Sequence, residues 1–430
     1  MKTFLKKIIA YLLKIESQLV LWKYKPKIVA ITGSVGKTST KDAVYAVLSK
    51  VSHVRKSEKS FNSEIGLPLT ILGARNGWSN PFLWFTNVLE GFWLFLAPHK
   101  YPKWLVLEVG VGKPNDIKRT ASWLKTDVVI LTAIGETPAH IEFFDSRESL
   151  IEEKSQLIKT LKKDGLLILN ADDESVLEMK TKSKNRIITY GFKETSDILG
   201  SGDSIFYNEK NEPSGIMFRV DEGGKSLPVA IEGVFGRNHV YASLAALAFS
   251  SGLKFNMLNA VNALKNYDVP PGRMRLLRGI NDSLIVDDTY NSSPFACESA
   301  LLTLGEIKVS RKIAILGDML ELGKHTIEAH KNIGKIAKEK VDVLVVVGPR
   351  AKAIKEGAEE AGMVRDNIFE FTNSYEAGDF IKNYVKKNDL VLVKGSQGIR
   401  MERTVEAILL DQKNKNKLLV RQDDEWLKKK

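Results

Sequence analysis

The most constraining feature of the chain is the passage from Lys27–Thr32 (KIVAIT) into Gly33-Ser34-Val35-Gly36-Lys37-Thr38-Ser39-Thr40 and on into a helical stretch over Lys41–Lys50. An apolar strand, a turn with two glycines and a helix, in that order, form a phosphate cradle. Gly33 and Gly36 can take positive φ and turn backbone N–H groups toward one point. The helix N-terminus adds partial positive charge. Lys37 is placed to reach β/γ-phosphates, and the Thr38 hydroxyl to hold Mg²⁺. The spacing falls one glycine short of G-x-x-x-x-G-K-[ST], because Ile31 stands at the outer position. A chance turn of this composition is the alternative, and the flanking strand and helix weigh against it. Such a loop does not by itself fix a reaction.

The rest of the chain repeats the alternation of short apolar strands and helical stretches that builds a parallel α/β sheet. Trp104–Gly110, Asp127–Thr132 and Gly165–Asn170 read as further strands of the first sheet, and Asp197–Gly233 as an antiparallel edge with turns at Asn211–Pro213 and Gly223–Gly224. Val269-Pro270-Pro271-Gly272 is linker punctuation. Beyond it, Ser283–Asp287, Lys312–Gly317, Val343–Gly348, Ile368–Phe371 and Leu390–Lys394 form a second, Rossmann-like series without a G-x-G-x-x-G fingerprint. The expected architecture is α/β: an N-terminal helix over residues 1–26, a central phosphate-loop domain with a mostly parallel sheet over 27–269, and a doubly wound domain over 270–430. A chain of 430 residues has the length for this.

Two segments fit neither series. Leu5, Ile8, Leu12, Ile15, Leu19 and Trp22 recur at helical spacing among seven lysines, with Glu16 the only acid. This predicts an amphipathic helix that either packs on the protein's own core or lies on an anionic membrane. Its longest apolar run is too short to span a bilayer, and no secretory cleavage site follows. Gly77–Lys103 is rich in Trp and Phe and reads as a buried helical hairpin or as an exposed membrane or partner surface. One cysteine, Cys297, excludes an internal disulfide framework. A net charge of +12 suits anionic partners or a lysine-rich solvated surface, but no interleaved aromatic-basic motif points to nucleic acid.

Further motifs narrow the chemistry: TGSVGKTST, FNSEIGLPLT with Asn62 and Gly66, LEVGVGKPNDI with Glu108, IGETPAHIEFF with His140, and ESLIEEKSQLI with Lys154. In the second half stand Pro271-Gly272-Arg273, Asp287-Asp288-Thr289-Tyr290-Asn291 followed by Pro294, LGDMLELG over 316–323, and Val393-Lys394-Gly395-Ser396. Together, over about residues 27–410, they resemble the Mur ligase family, ATP-dependent amide-forming enzymes of peptidoglycan synthesis. LGDMLELG and DDTYN resemble most the branch that joins D-alanyl-D-alanine to a UDP-N-acetylmuramoyl-tripeptide.

The resemblance implies that Gly33 to Ser39, Asn62, Asn238, His239, Arg273, Asp288 and Tyr290 bind ATP, with Asp288 near the ribose. It implies two Mg²⁺ ions held by Thr38, Glu108, His140 and a carbamoylated Lys154. Lys37, Glu108, His140, Lys154 and Arg273 would carry catalysis. Asn291, Asp318, Lys394 and Ser396 would face the second substrate. The implied compartment is the cytoplasm, with the basic helix leaving open a peripheral place at the inner face of the membrane. Two features depart from the pattern. The family usually opens with a domain that holds the uridine nucleotide, whereas 26 residues precede Lys27 here. The family's GRHNxxN segment appears as GRNHVYA, with Ala242 where relatives present an amide to adenine. The rival readings are another amide ligase of the same superfamily, and a nucleotide-binding scaffold that keeps the fold without ligation.

Overall fold

A computed structural model describes residues 2–58, 61–78, 80–135, 141–265 and 267–428. The first half runs α1 (Lys2–Tyr24), β1 (Lys27–Thr32), α2 (Lys37–Leu48), β2 (Val54–Lys56), α3 (Gly66–Leu72), α4 (Pro81–Leu96), β3 (Trp104–Glu108), α5 (Asp116–Ala121), β4 (Thr126–Leu131), α6 (Arg147–Ser155), β5 (Leu161–Asn170), α7 (Glu174–Leu177), β6 (Arg186–Gly191), β7 (Ile198–Tyr207), β8 (Pro213–Glu222), β9 (Lys225–Glu232), α8 (Arg237–Gly252) and α9 (Met257–Leu264). Its nine strands form one sheet in the order β2-β3-β1-β4-β5-β6-β7-β8-β9. Pairing is parallel from β2 to β7 and antiparallel from β7 to β9, so the expected edge is present. β2 and β6 were not expected; the first is three residues long, and the second carries polar residues that mask its period.

The strands alternate their side chains between two cores. Val29 and Ile31 of β1 join Val44 and Val47 of α2 and Leu244 and Leu247 of α8. Ile28 and Ala30 face the opposite way, toward Leu13 and Val20 of α1 and Leu67 and Leu69 of α3. A central strand buried on both faces explains why KIVAIT reads as a continuous apolar run rather than an alternation.

The second half runs β10 (Arg275–Arg278), β11 (Leu284–Asp288), α10 (Pro294–Glu306), β12 (Arg311–Gly317), α11 (Thr326–Lys340), β13 (Val343–Val347), α12 (Lys352–Glu360), β14 (Ile368–Phe371), α13 (Ser374–Tyr384), β15 (Asp389–Lys394), α14 (Glu402–Ile408), α15 (Lys415–Leu418) and α16 (Asp424–Leu427). The sheet order is β10-β11-β15-β12-β13-β14, parallel except for β10, which pairs antiparallel with β11.

The aromatic segment is one helix rather than a hairpin. Asn80 caps α4 by accepting from the Phe82 and Leu83 amides, with Pro81 in the first turn. α4 packs beside α1 and runs in the same direction, with Glu16 against Gly91 and Lys23 at the α4 C-terminus. The two readings of α1 prove not to be exclusive. It packs on the core through Ala10, Leu13 and Val20, while Ile8, Leu12 and Trp22 of the stripe read from the sequence are exposed.

Candidate active site

In the first sheet the chain leaves β1 toward β2 on one side and later reaches β4 on the other. The crevice at the C-terminal ends of β1 and β3 is therefore a topological switch point, where ligands bind in such sheets. The phosphate loop and Glu108 both lie there, because Ile31 and Glu108 are register partners. The Ser34 and Val35 amides donate to the Ala133 carbonyl, and Thr132 Oγ1 donates to the Val35 carbonyl at 2.7 Å. Gly33 lies so close to Thr132 that a Cβ would sit 1.9 Å from its Oγ1, and Gly36 caps α2 with a φ of 85°. Both glycines are required by geometry.

Thr38 Oγ1 donates to Glu108 Oε2 at 3.0 Å, and Asn62 Nδ2 donates to Glu108 Oε1 at 3.0 Å. Gly110 permits this: a Cβ there would meet Asn62 at 2.7 Å. Buried Lys41 approaches Glu108 to 3.9 Å. Lys37 Nζ folds over the loop and donates to the Gly33 and Ser34 carbonyls at 2.9 and 3.2 Å. From α6, Lys154 Nζ donates to the same Gly33 carbonyl at 3.0 Å. Burial first, and then the neighbouring Lys37 charge, hold the Lys154 amine well below the usual lysine range, against a smaller opposing pull from Glu153. Burial also lowers Lys37, partly offset by Glu108.

Across the cleft, Arg273 reaches back from the linker: its guanidinium donates to Thr38 Oγ1 at 3.3 Å and lies 3.9 Å over the Tyr290 ring. Arg273 Nε and Ser34 Oγ are buried without a hydrogen-bond partner. Unpaired buried donors are costly, and here they border a glycine loop contacted by Lys37, Lys154 and Arg273. That combination fits a polyphosphate. Thr38 Oγ1 and the Glu108 carboxylate are hard oxygen donors of the kind that hold Mg²⁺ beside phosphate and water.

The acidic pair of β11 holds the linker. Asp287 accepts from the Gly272 amide at 3.0 Å and from Thr289 Oγ1 at 2.6 Å, and burial raises its carboxyl to about 6. Asp288 accepts from the Met274 amide and pairs with buried Lys394 at 2.6 Å. Lys394 also donates to the Asn291 carbonyl at 2.9 Å. Asp288 is thus bracketed between two protein donors, and its pairing with Lys394 ties β11 to β15 beside the linker that carries Arg273. Asp318 accepts from the Arg350 and Ala351 amides, and Ser396 joins the Leu320 amide to the Ser292 carbonyl. These residues, with Asn291, cross-link the loops at the C-terminal ends of β11, β12 and β15.

His239 is buried with Nε2 at 2.7 Å from the Arg273 carbonyl, and burial lowers its imidazole to about 4. It supports the Arg273 backbone through Nε2, while its Nδ1 is buried without a hydrogen-bond partner. Ala242 packs in the core, and Asn238 stands half-buried at the α8 N-terminus. His140 lies outside the described residues. Sequence reasoning missed Thr132 and Lys41, as well as Arg421, which donates to the Thr289 and Tyr290 carbonyls and pairs with Glu402 at 2.8 Å. Nothing in the local sequence marks Arg421, because the carbonyls it holds are more than a hundred residues away.

The Mur ligase middle domain matches residues 31–250, and the Mur ligase, glutamate ligase domain matches residues 272–397. The chain is 28% identical over 385 residues to a UDP-N-acetylmuramoyl-tripeptide–D-alanyl-D-alanine ligase of Bacillus subtilis, covering 89% of this chain and 76% of the relative. It is 26% identical over 386 residues to the Escherichia coli ligase of the same name, with 89% and 76% covered. Among solved structures, the MurF ligase of Thermotoga maritima in complex with ADP superposes with a TM-score of 0.76 at 26% identity, covering 93% of this chain and 83% of that one. Two independent domain matches, arranged around one cleft in the order found here, leave one conclusion: the chain belongs to the Mur ligase family.

Proposed function

We propose that this protein uses ATP to join D-alanyl-D-alanine to the carboxylate of a UDP-N-acetylmuramoyl-tripeptide. The observation that carries the reading is the convergence of Lys37, Lys154 and Arg273, from three separate elements, on the Gly33–Thr38 loop. The names of the similar ligases give the substrate class.

Lys37, Arg273 and the loop amides would hold the triphosphate with its γ-phosphorus open to in-line attack by an acceptor carboxylate oxygen. ADP leaves, and an acyl phosphate remains. The dipeptide amine then attacks the activated carbonyl with loss of one proton. The C–O bond to phosphate breaks, leaving an amide. Arg273 and Lys37 would stabilise the charge that develops at both stages. Thr38 and Glu108 would hold Mg²⁺, which supplies further charge neutralisation when bound. Contact between Arg273 and Thr38 closes the linker over the loop, which protects an acyl phosphate from water. Burial and the Lys37 charge disfavour the ammonium form of Lys154, and its amine would take up CO₂ with loss of a proton to become a carbamate anion. His140 as a further metal ligand rests on the resemblance alone.

The test is ADP release with a UDP-N-acetylmuramoyl-tripeptide acceptor, with and without D-alanyl-D-alanine. The reading expects sustained release only when both are present, with the pentapeptide product visible by mass spectrometry. Sustained release that ignores both substrates would contradict it.

A further inference from the structure

The helical layer formed by α1 and α4 reverses the usual arrangement of a surface helix. Residues 82, 85, 89, 92, 93 and 96 of α4 fall within one stripe about 100° wide. All six are exposed Phe, Leu or Trp, with Phe82 at 72% and Trp93 at 61%. The opposite side of α4, centred on Asn87 and Gly91, is buried. α1 behaves alike: Ile8, Tyr11, Leu12 and Trp22 point outward, Trp22 at 71%, while Glu16 and Ser17 are buried. Asn87 donates inward to the Arg75 carbonyl. Asn87, Glu16 and Ser17 are thus inside, while ten large apolar side chains lie outside over a pair of packed helices.

This layer is not a loose appendage. Lys23 Nζ donates to the Phe95 and Ala97 carbonyls, each at 2.6 Å, and so supplies a cation to the last turn of α4. Tyr24 OH bonds the Leu94 carbonyl at 3.0 Å. α1 is also anchored on the sheet through Leu13 and Val20. The apolar face is thus presented by a rigid support.

We infer that the outer face of the α1–α4 layer docks this protein on an anionic lipid surface. Charge selects the partner. Lys6 and Lys7 of α1, and Lys25, Lys27, Lys100 and Lys103 in the segments that follow α1 and α4, are exposed, and Glu90 is the one exposed acid of the two helices among the described residues. A second copy would bring these lysines against their like on a chain of net charge +12. An anionic headgroup layer attracts them, while Trp and Phe suit the boundary below it. α4 has 16 residues, about 24 Å of helix, short of the hydrocarbon thickness of about 30 Å. No described helix is long and apolar enough to cross a membrane. The layer therefore lies on the surface. Docking would also orient the cleft: α3 follows directly from Asn62, and Trp78, just before α4, meets Trp426 of the C-terminal segment at 6.4 Å.

The inference does not depend on the ligase reading. It is tested by co-sedimentation of the full chain with phosphatidylcholine vesicles and with vesicles containing 30% phosphatidylglycerol, at low and high salt. The expected result is binding to the anionic vesicles alone, weakened by salt. A triple variant, Trp22→Ser, Phe85→Ser and Trp93→Ser, should bind at least about tenfold more weakly with its melting temperature kept. Absence of binding to anionic vesicles at low salt would overturn the inference. So would equal binding by the triple variant, or a lipid-free dimer that the same substitutions dissociate, which would make the face a protein interface.

Discussion

The phosphate-loop cleft and the α1–α4 layer break opposite rules of protein surfaces. In the cleft, polar and charged groups are buried: Thr38, Lys41, Glu108, Lys154, Asp288 and Lys394 are nearly inaccessible, with Thr38 bonded to Glu108 and Lys394 to Asp288. In the layer, large apolar groups are exposed while Glu16 is buried with one carboxylate oxygen unpaired. A buried charge persists only where partners compensate it. Two of the unpaired buried donors at the cleft, Ser34 Oγ and Arg273 Nε, thus point to an anion from outside the chain. An exposed apolar stripe points instead to a partner that lacks water. Each region is marked by what it leaves unsatisfied.

The comparison is broken most severely at Lys37. Lys37→Ala should lower turnover about 10²–10³-fold, the loss typical of one preorganised charge-stabilising group, with little change in melting temperature. Steady-state ADP release checks this, and near-wild-type turnover would remove the loop from the chemistry. Next is Lys154→Ala, expected to lose about 10²-fold in activity, with partial recovery on adding short carboxylates that replace a carbamate. Full activity would leave Lys154 a merely structural cation.

Arg421→Ala sharpens the comparison inside the C-terminal segment. It frees the Thr289 and Tyr290 carbonyls and leaves Glu402 with Arg400 as its partner. A destabilisation of about 1–3 kcal/mol is expected by denaturant titration. The smallest effect is at Glu16. Burial raises its carboxyl to about 7 from 4.5. A raised acid binds more protons folded than unfolded, so its contribution to stability falls as pH rises from about 4.5 to about 7. The melting temperature of Glu16→Gln should gain on wild type by a few degrees across that window and level off above it. A constant difference would place the shift elsewhere.

Much of this was legible in local sequence. KIVAITGSVGKTS carries its strand, turn and helix start in consecutive residues, and the β12, β13 and β15 strands are apolar runs close to their true bounds. β2 and β10 were not legible, since strands of three and four residues form only because a neighbour pairs with them. The same limit hid the site's supports. Asp288 and Lys394 are 106 residues apart and meet only as register partners of β11 and β15. The outer stripe of α1 was read correctly as apolar, but period alone could not tell which face the core would take. The sheet chose the other face, through Leu13 and Val20.

The central claim is that a carboxylate is activated by phosphorylation at the Gly33–Thr38 loop before the amide forms. Ligation run with an acceptor whose carboxylate carries ¹⁸O tests it most directly. The account predicts one ¹⁸O in the inorganic phosphate for each amide made, with unlabelled ADP. Label in AMP, or phosphate without label, would contradict it.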